Sequence, residues 1–135
     1  MCSSDLGINP RQFTDWMSRV FIDAAEWVMV PNVVGMALFA DGGRMATKPY
    51  ASGGAYIDKM SDYCKGCAYD RKARTGETAC PFTTLYWDFL DRHSATFGRN
   101  PRIATQVRAA AKLADIAAVR ERAVEVRGLL AAGEL

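Results

Sequence analysis

"MSDYCKGCAYDRKARTGETACPFTTLYWDFLDRH", residues 60–93, is the stretch on which the reading of this chain turns. Its first half carries Cys64, Cys67 and Cys80 in the spacing C-x2-C-x12-C. Its second half opens on Pro81 and sets Phe82, Leu85, Phe89 and Leu90 on one side of a helix. Between them, "AYDRKARTGETA" is polar and turn-forming. A polar loop that returns a third thiol to a close pair is a common way to build a thiolate site. Such donors suit zinc or an iron–sulfur cluster, and the bland alternative is a set of buried thiols. Zinc has an internal candidate for its fourth ligand in His93, the single histidine. The simpler role for His93 is a helix-end residue answering the local dipole. A cluster needs a fourth cysteine, and within the chain that leaves only Cys2.

Upstream, "GINPRQFTDWMSRVFIDAAEWVMVP" predicts one long amphipathic helix, with Asn9 as its cap and Pro10 in its first turn. Phe13, Trp16, Met17, Val20, Phe21, Ala24, Trp27 and Val28 recur on one face, which makes Trp16 and Trp27 core residues on spacing alone. Pro31 ends that helix or opens the next. "NVVGMALFA" reads as helical with an interruption at Gly35, and "DGGRMATKPYASGGAY" as a long irregular loop of the kind that often carries function. "YIDKMSDY" allows a turn or two of helix before Cys64. Gly98 is the expected stop of the helix begun at Pro81, "RNPR" breaks the chain, and a last helix runs from about Leu113 to Leu130. No strand-like alternation of any length occurs, so the expected class is all-α.

The totals agree with a single domain. The chain has 135 residues, half of them hydrophobic, and a net charge of +2. That size supports a core without staples, and the small charge by itself points to no polyanion. No apolar run reaches the length of a membrane span, and no secretory signal opens the chain, so the expected location is the cytoplasm. In that reducing compartment clustered cysteines bind metal more often than they pair. Residues 1–6, "MCSSDL", match the translation of a sequencing-adapter end. They are expected to be a non-native scar, with the chain starting partway through a longer gene and Cys2 no ligand.

Three strings carry a specific resemblance: "PNVVGMALFADGG", "ATKPYASGGAYIDKMSDYCKGC" and "CPFTTLYWDFLDRH". From about Gly7 to Arg102 the chain resembles the C-terminal region of the iron–sulfur bacterial cryptochromes and photolyases. This family is also called deoxyribodipyrimidine photolyase-related and includes prokaryotic (6-4) photolyases. The resemblance implies that residues 7–135 are the C-terminal portion of a helical FAD-binding domain, with an N-terminal α/β domain and further helices upstream. It also implies a [4Fe–4S] cluster, with Cys64, Cys67 and Cys80 as three ligands and the fourth cysteine upstream. An antenna chromophore is implied only for that N-terminal domain.

The same resemblance assigns Asn32 to the reactive nitrogen of the flavin, where a carboxamide biases the redox form; on spacing alone Asn32 caps the helix after Pro31. Met36, Phe39 and Asp41 are implied to line the flavin pocket, and Trp16 to belong to the electron-transfer chain. Tyr50 and Tyr56 are implied to face the damaged-DNA pocket, with Lys48 and Arg44 reaching phosphates. Two positions depart from the family pattern: Met29 stands where an acid is usual, and Met17 where an aromatic residue is frequent. The implied activity is light-driven repair of (6-4) pyrimidine photoproducts by electron transfer from reduced FAD. The protein would act on DNA as a monomer away from membranes, and no catalytic residue would lie in this piece. The alternatives are a signalling cryptochrome of the same family and a small zinc-binding interaction module.

Overall fold

A computed structural model describes residues 7–37, 41, 44–45 and 51–134. Among them the chain is helical, and its only β-type pairing is an isolated parallel bridge between Asp70 and Ala79. The all-α class expected from the sequence is the class observed.

Helix α1 spans Pro10–Val20. Asn9 is extended, and its Oδ1 accepts from the amides of Arg11 at 2.9 Å and Gln12 at 3.4 Å. Two of the amides orphaned at a helix start are thereby satisfied, and Pro10 brings none of its own. The helix does not run on to Pro31. Phe21 is extended, the chain turns through residues 21–25, and α2 occupies only Glu26–Val30. Pro31 lacks an N–H and cannot extend the α-helical ladder, so the backbone widens into a π-helical stretch, Pro31–Ala37. The side-chain amide of Asn32 donates to the Val28 carbonyl at 2.6 Å, across the proline.

The break leaves much of the expected apolar face in water. Met17 and Val33 are buried together with Ile8, Phe13 and Met29 around them. Trp16 is 55% exposed and stacks on Phe13 with ring centroids 6.1 Å apart; Trp27 is 80% exposed. Core positions were expected for both. Gly35 does not interrupt the helical path. It is buried, and a Cβ there would lie 2.6 Å from Cβ of Met45, so the missing side chain permits close approach of the following loop.

Helix α3 covers Gly54–Met60, and α4 covers Pro81–Arg92. Helix α4 is the spine of this part of the molecule. One face sets Phe89 and Leu90 against Phe97, Ile103, Val107 and Ala110. Another sets Leu85 against Ala123 and Val126 of α7, Ile116–Ala132. Gly98 does not end α4; His93 does, and Gly98 closes the short α5, Ser94–Phe97. Helix α6, Ala104–Ala110, lies in "ATQVRAA", which the sequence pattern did not mark as helical. Helix α7 ends at Gly133, whose φ of 73° is the left-handed conformation glycine supplies at helix ends.

Asp88 is 1% exposed and lies on the α4 face turned to α7. Its Oδ2 accepts from Arg92 Nε at 2.7 Å and from Arg127 Nη1 of α7 at 2.6 Å. Two guanidinium groups thus offset the cost of one buried carboxylate, and both keep part of their surface in water. Because each arginine compensates for loss of the other, Arg92→Met or Arg127→Met alone should cost about 1–2 kcal/mol in urea unfolding. The double replacement strands the charge and should cost about 3–5 kcal/mol, more than the sum at the lower estimates.

His93 lies between Phe89 and Phe97, with centroids at 4.8 and 5.7 Å. Burial there, helped by the Arg92 charge and opposed by Asp88, holds its imidazole below the ordinary histidine value. The neutral ring is therefore the form the fold favours. Its contribution is complete above about pH 6.5 and is lost as pH falls through the lowered value. The urea midpoint should fall between about pH 7 and pH 5, and His93→Phe should flatten that segment, since no other histidine titrates there.

Candidate metal centre and adjoining cleft

The three cysteines come from two segments that meet at Gly54. Cys64 and Cys67 follow α3 in a tight turn, with the Cys67 amide donating to the Cys64 carbonyl at 3.4 Å. Gly66, at φ 76°, supplies the left-handed residue between them. Cys80 is extended and sits immediately before Pro81, the first residue of α4. Its amide donates to the Asp70 carbonyl at 3.0 Å, and its carbonyl accepts from Thr83 and Thr84 at 2.9 and 3.0 Å.

Gly54, the first residue of α3, is pressed against this junction. A Cβ there would stand 2.7 Å from Cys80 Sγ and 2.9 Å from Thr83 Oγ1. The Cys64 thiol points at the Gly54 carbonyl, 4.0 Å away. Both sulfurs therefore border the same small residue. Cys80 is buried at 8% exposure, Cys64 is half-buried and Cys67 is exposed; all three are free thiols.

Two threonines hold the loop between the cysteines. Thr83 Oγ1 accepts from the buried Gly54 amide at 3.0 Å and donates to the Arg71 carbonyl at 2.8 Å. Thr84 Oγ1 donates to the Arg74 carbonyl at 2.8 Å. Thus the first turn of α4 fixes α3 on one side and residues 71–74 on the other. Arg71 pairs with Asp58 at 2.8 Å, and Arg74 makes a two-point contact with Asp115 at 3.1 and 3.2 Å. Sequence reasoning did not single out Thr83, Thr84, Gly54 or Asp88. The available signal was a pair of hydroxyls in the first helical turn after Cys-Pro.

Partial burial pushes the Cys64 thiol above the ordinary cysteine value, and the charges of Asp58, Cys80 and Cys67 add to that against Arg71. The sulfurs feel one another, and a cation among them would reverse the effect. Among the described residues, however, no group of three or more His, Cys, Asp or Glu side chains stands close enough to hold a metal ion. The ligands of a cubic cluster bind separate iron atoms, so they stand wider apart than ligands of one ion. Two of the thiols, Cys64 and Cys80, border Gly54, and soft donors of this kind favour zinc or iron–sulfur chemistry. His93 is carried at the other end of α4, whose twelve residues span about 18 Å. It is not brought to the cysteines. Cys2 lies outside the described residues.

Of the positions assigned to flavin, Asn32 spends its amide on Val28, and Met36 is half-buried in the π-helical stretch. Asp41 Oδ2 accepts from the Met45 amide at 2.8 Å. Phe39, Lys48 and Tyr50 lie outside the described residues. Arg44 is exposed.

Tyr56 lines a cleft of about 370 Å³ beside the cysteine loop. Arg71, Lys72 and Arg74 form one side, and Tyr86 and Trp87 contribute from α4, edge to face at 5.1 Å. No helix among the described residues is long and apolar enough to cross a membrane.

An all-helical domain with three free thiols on the segments that join two helices, beside a basic and aromatic cleft, is the class of structure so defined. Over 98 residues, 73% of its length, the chain is 54% identical to the (6-4) photolyase of Agrobacterium fabrum, a likeness that supports the photolyase family. Over 83 residues it is 36% identical to the uncharacterized protein R855 of Acanthamoeba polyphaga mimivirus. The chain spans 19% of the first relative and 60% of the second. No family model matches it.

Thr83→Val keeps the shape of the side chain but leaves the Gly54 amide and the Arg71 carbonyl unpaired. It should cost about 1–3 kcal/mol in urea unfolding. Gly54→Ala should cost a similar amount by overpacking, and should speed reaction of the buried Cys80 thiol with a disulfide reagent. An unchanged rate and midpoint in both variants would contradict the packing described.

Proposed function

We propose that this chain is the C-terminal, cofactor-binding part of a light-dependent DNA photolyase acting on (6-4) pyrimidine photoproducts. The observation that carries the reading is the 54% identity over 98 residues to a (6-4) photolyase. In this reading residues 1–6 are not native, residues 7–135 belong to the helical domain, and an α/β domain with further helices completes the protein.

In this reading Cys64, Cys67 and Cys80 would provide three thiolates for a [4Fe–4S] cluster, with a fourth cysteine from outside this chain. A cluster held there would tie α3, the cysteine loop and α4 to the rest of the protein, in line with metal-coupled folding. The exposed apolar side chains of Trp16, Val20, Phe21, Ile22 and Trp27 form a surface of the kind that packs against further protein.

FAD, when bound, would supply the light-driven electron used for repair. Around that cofactor Asn32, whose amide nitrogen is taken by the Val28 carbonyl, would have its Oδ1 left for the flavin ring, and Met36, Phe39 and Asp41 would border it. Trp16, on the α1 surface, serves as an electron relay. Tyr50 and Tyr56 flank the extruded lesion, and Arg44 and Lys48 meet the DNA backbone. The protein works as a monomer in the cytoplasm, with damaged DNA as its partner.

The test is the complete protein, purified without oxygen and mixed with an oligonucleotide carrying one (6-4) lesion. Blue light should restore intact pyrimidines, darkness should not, and the protein should show flavin absorption. A flavin-loaded protein that repairs nothing in blue light would overturn the repair activity and favour a signalling role.

A further inference from the structure

We propose that Cys64 and Cys67 form a reversible disulfide by exchange with a small-molecule disulfide such as oxidised glutathione, while Cys80 stays a thiol. The inference rests on the three free thiols and their setting, and takes nothing from the photolyase reading.

Residues 64–67 make a four-residue turn. The Cys67 amide donates to the Cys64 carbonyl at 3.4 Å, and Gly66, third in the turn, has a φ of 76°. A positive φ at that place marks a type II turn, whose first and last Cα atoms lie within about 7 Å. Disulfides join Cα atoms about 4.4–6.8 Å apart, so the turn sets this pair within bridging reach. The turn is fastened to the end of α3. The amide and hydroxyl of Ser61 both donate to the Ile57 carbonyl, and the Lys65 amide donates to the Asp62 carbonyl.

Access to the three thiols is unequal. Cys67 is exposed, as are Lys65, Gly66 and Ala68 beside it, and Cys64 is half-buried. Cys80 is 8% exposed, and its backbone is held by Asp70, Thr83 and Thr84. Its sulfur lies against Gly54, where even a Cβ would stand 2.7 Å away. A bridge to Cys80 would have to draw a fixed, buried sulfur out of its packing. The bridge between Cys64 and Cys67 asks only for side-chain rotation in an open turn.

The chemistry is two exchanges. The Cys67 thiolate attacks one sulfur of the reagent, giving a mixed disulfide and releasing one thiolate. The Cys64 thiolate then attacks the Cys67 sulfur, closing the bridge and releasing the second thiolate. The two cysteines give up two electrons and two protons, and the reagent leaves as two thiols. A bridge in an exposed turn is open to attack by reducing thiols, which reverse the process. Closure withdraws two of three soft donors, so the bridge and a metal held by all three exclude each other.

The experiment treats the full chain carrying Cys2→Ser, freed of metal by a chelator, with oxidised glutathione. Mass spectrometry should show the loss of two hydrogens, and alkylation after denaturation should label Cys80 alone. Dithiothreitol should restore labelling of Cys64 and Cys67. Cys64→Ser should stop at a glutathione adduct on Cys67. Gly66→Ala has room for its methyl group but strains the turn, so closure should slow about fivefold or more. Circular dichroism checks that both variants keep their helices, and the Cys67 adduct decides the matter if Gly66→Ala loses them. The inference is overturned if no bridge forms, if the bridge or the adduct falls on Cys80, or if Gly66→Ala closes as fast as the parent chain. A complete protein that carries iron while this chain forms no bridge overturns the inference and leaves the cluster reading standing. A bridge in this chain beside a complete protein without iron sustains the inference and sinks the cluster reading.

Discussion

A single hydroxyl, that of Thr83, accepts from the amide that begins α3 and donates to a carbonyl of the loop between the cysteines. It does so from the first turn of α4, three residues after Cys80. Three segments distant in sequence are thus registered to one another at one oxygen atom, and the cysteines ride on those segments. A valine would fit the same space yet leave two buried polar groups without partners, which is why the constraint is chemical rather than steric. Gly54 completes it: only a residue without Cβ lets Cys80 Sγ and Thr83 Oγ1 approach so closely.

Helix α4 then transmits this arrangement to the rest of the fold. Leu85 packs on α7, Phe89 and Leu90 on α5 and α6, and the buried Asp88 fastens α7 through Arg127. Further clasps join the same elements. Arg120 of α7 grips Asp91 of α4 at 2.6 and 3.0 Å, and Arg122 of α7 reaches the Glu77 carbonyl in the cysteine loop at 3.2 Å. The C-terminal helix therefore braces both the spine and the loop that carries the site. The basic side chains of that loop are displayed from a backbone with little freedom left.

The sequence made the helical class legible because periodicity is strong at Pro10–Val20 and Pro81–Arg92, and because no alternating strand pattern competes. Asn9 and Pro10 announced the start of α1 correctly, since capping is a local matter. What failed was tertiary. The helix break at Phe21–Ala25 carries no glycine or proline, so the apolar pattern ran across it unmarked. Trp27 then looked like core although it stands in water. Helix α6 is short and rich in small residues, and burial of Val107 and Ala110 against α4 rather than propensity sustains it. Gly98 was read as the stop of α4 because a ring stack at His93 cannot be seen in one dimension. Within the site, the C-x2-C-x12-C spacing was plain, but Thr83, Thr84 and Asp88 were invisible: polar residues on a helix are expected outside, and their partners are remote in sequence.

In the proposed reading the three thiols hold iron. Determination of iron and acid-labile sulfide in the complete protein, prepared without oxygen, tests this most directly. Four irons and four sulfides per molecule are expected for a [4Fe–4S] cluster, and both should be lost when Cys80 is changed to alanine. Protein that carries flavin but no iron or sulfide, or one zinc in their place, would contradict it.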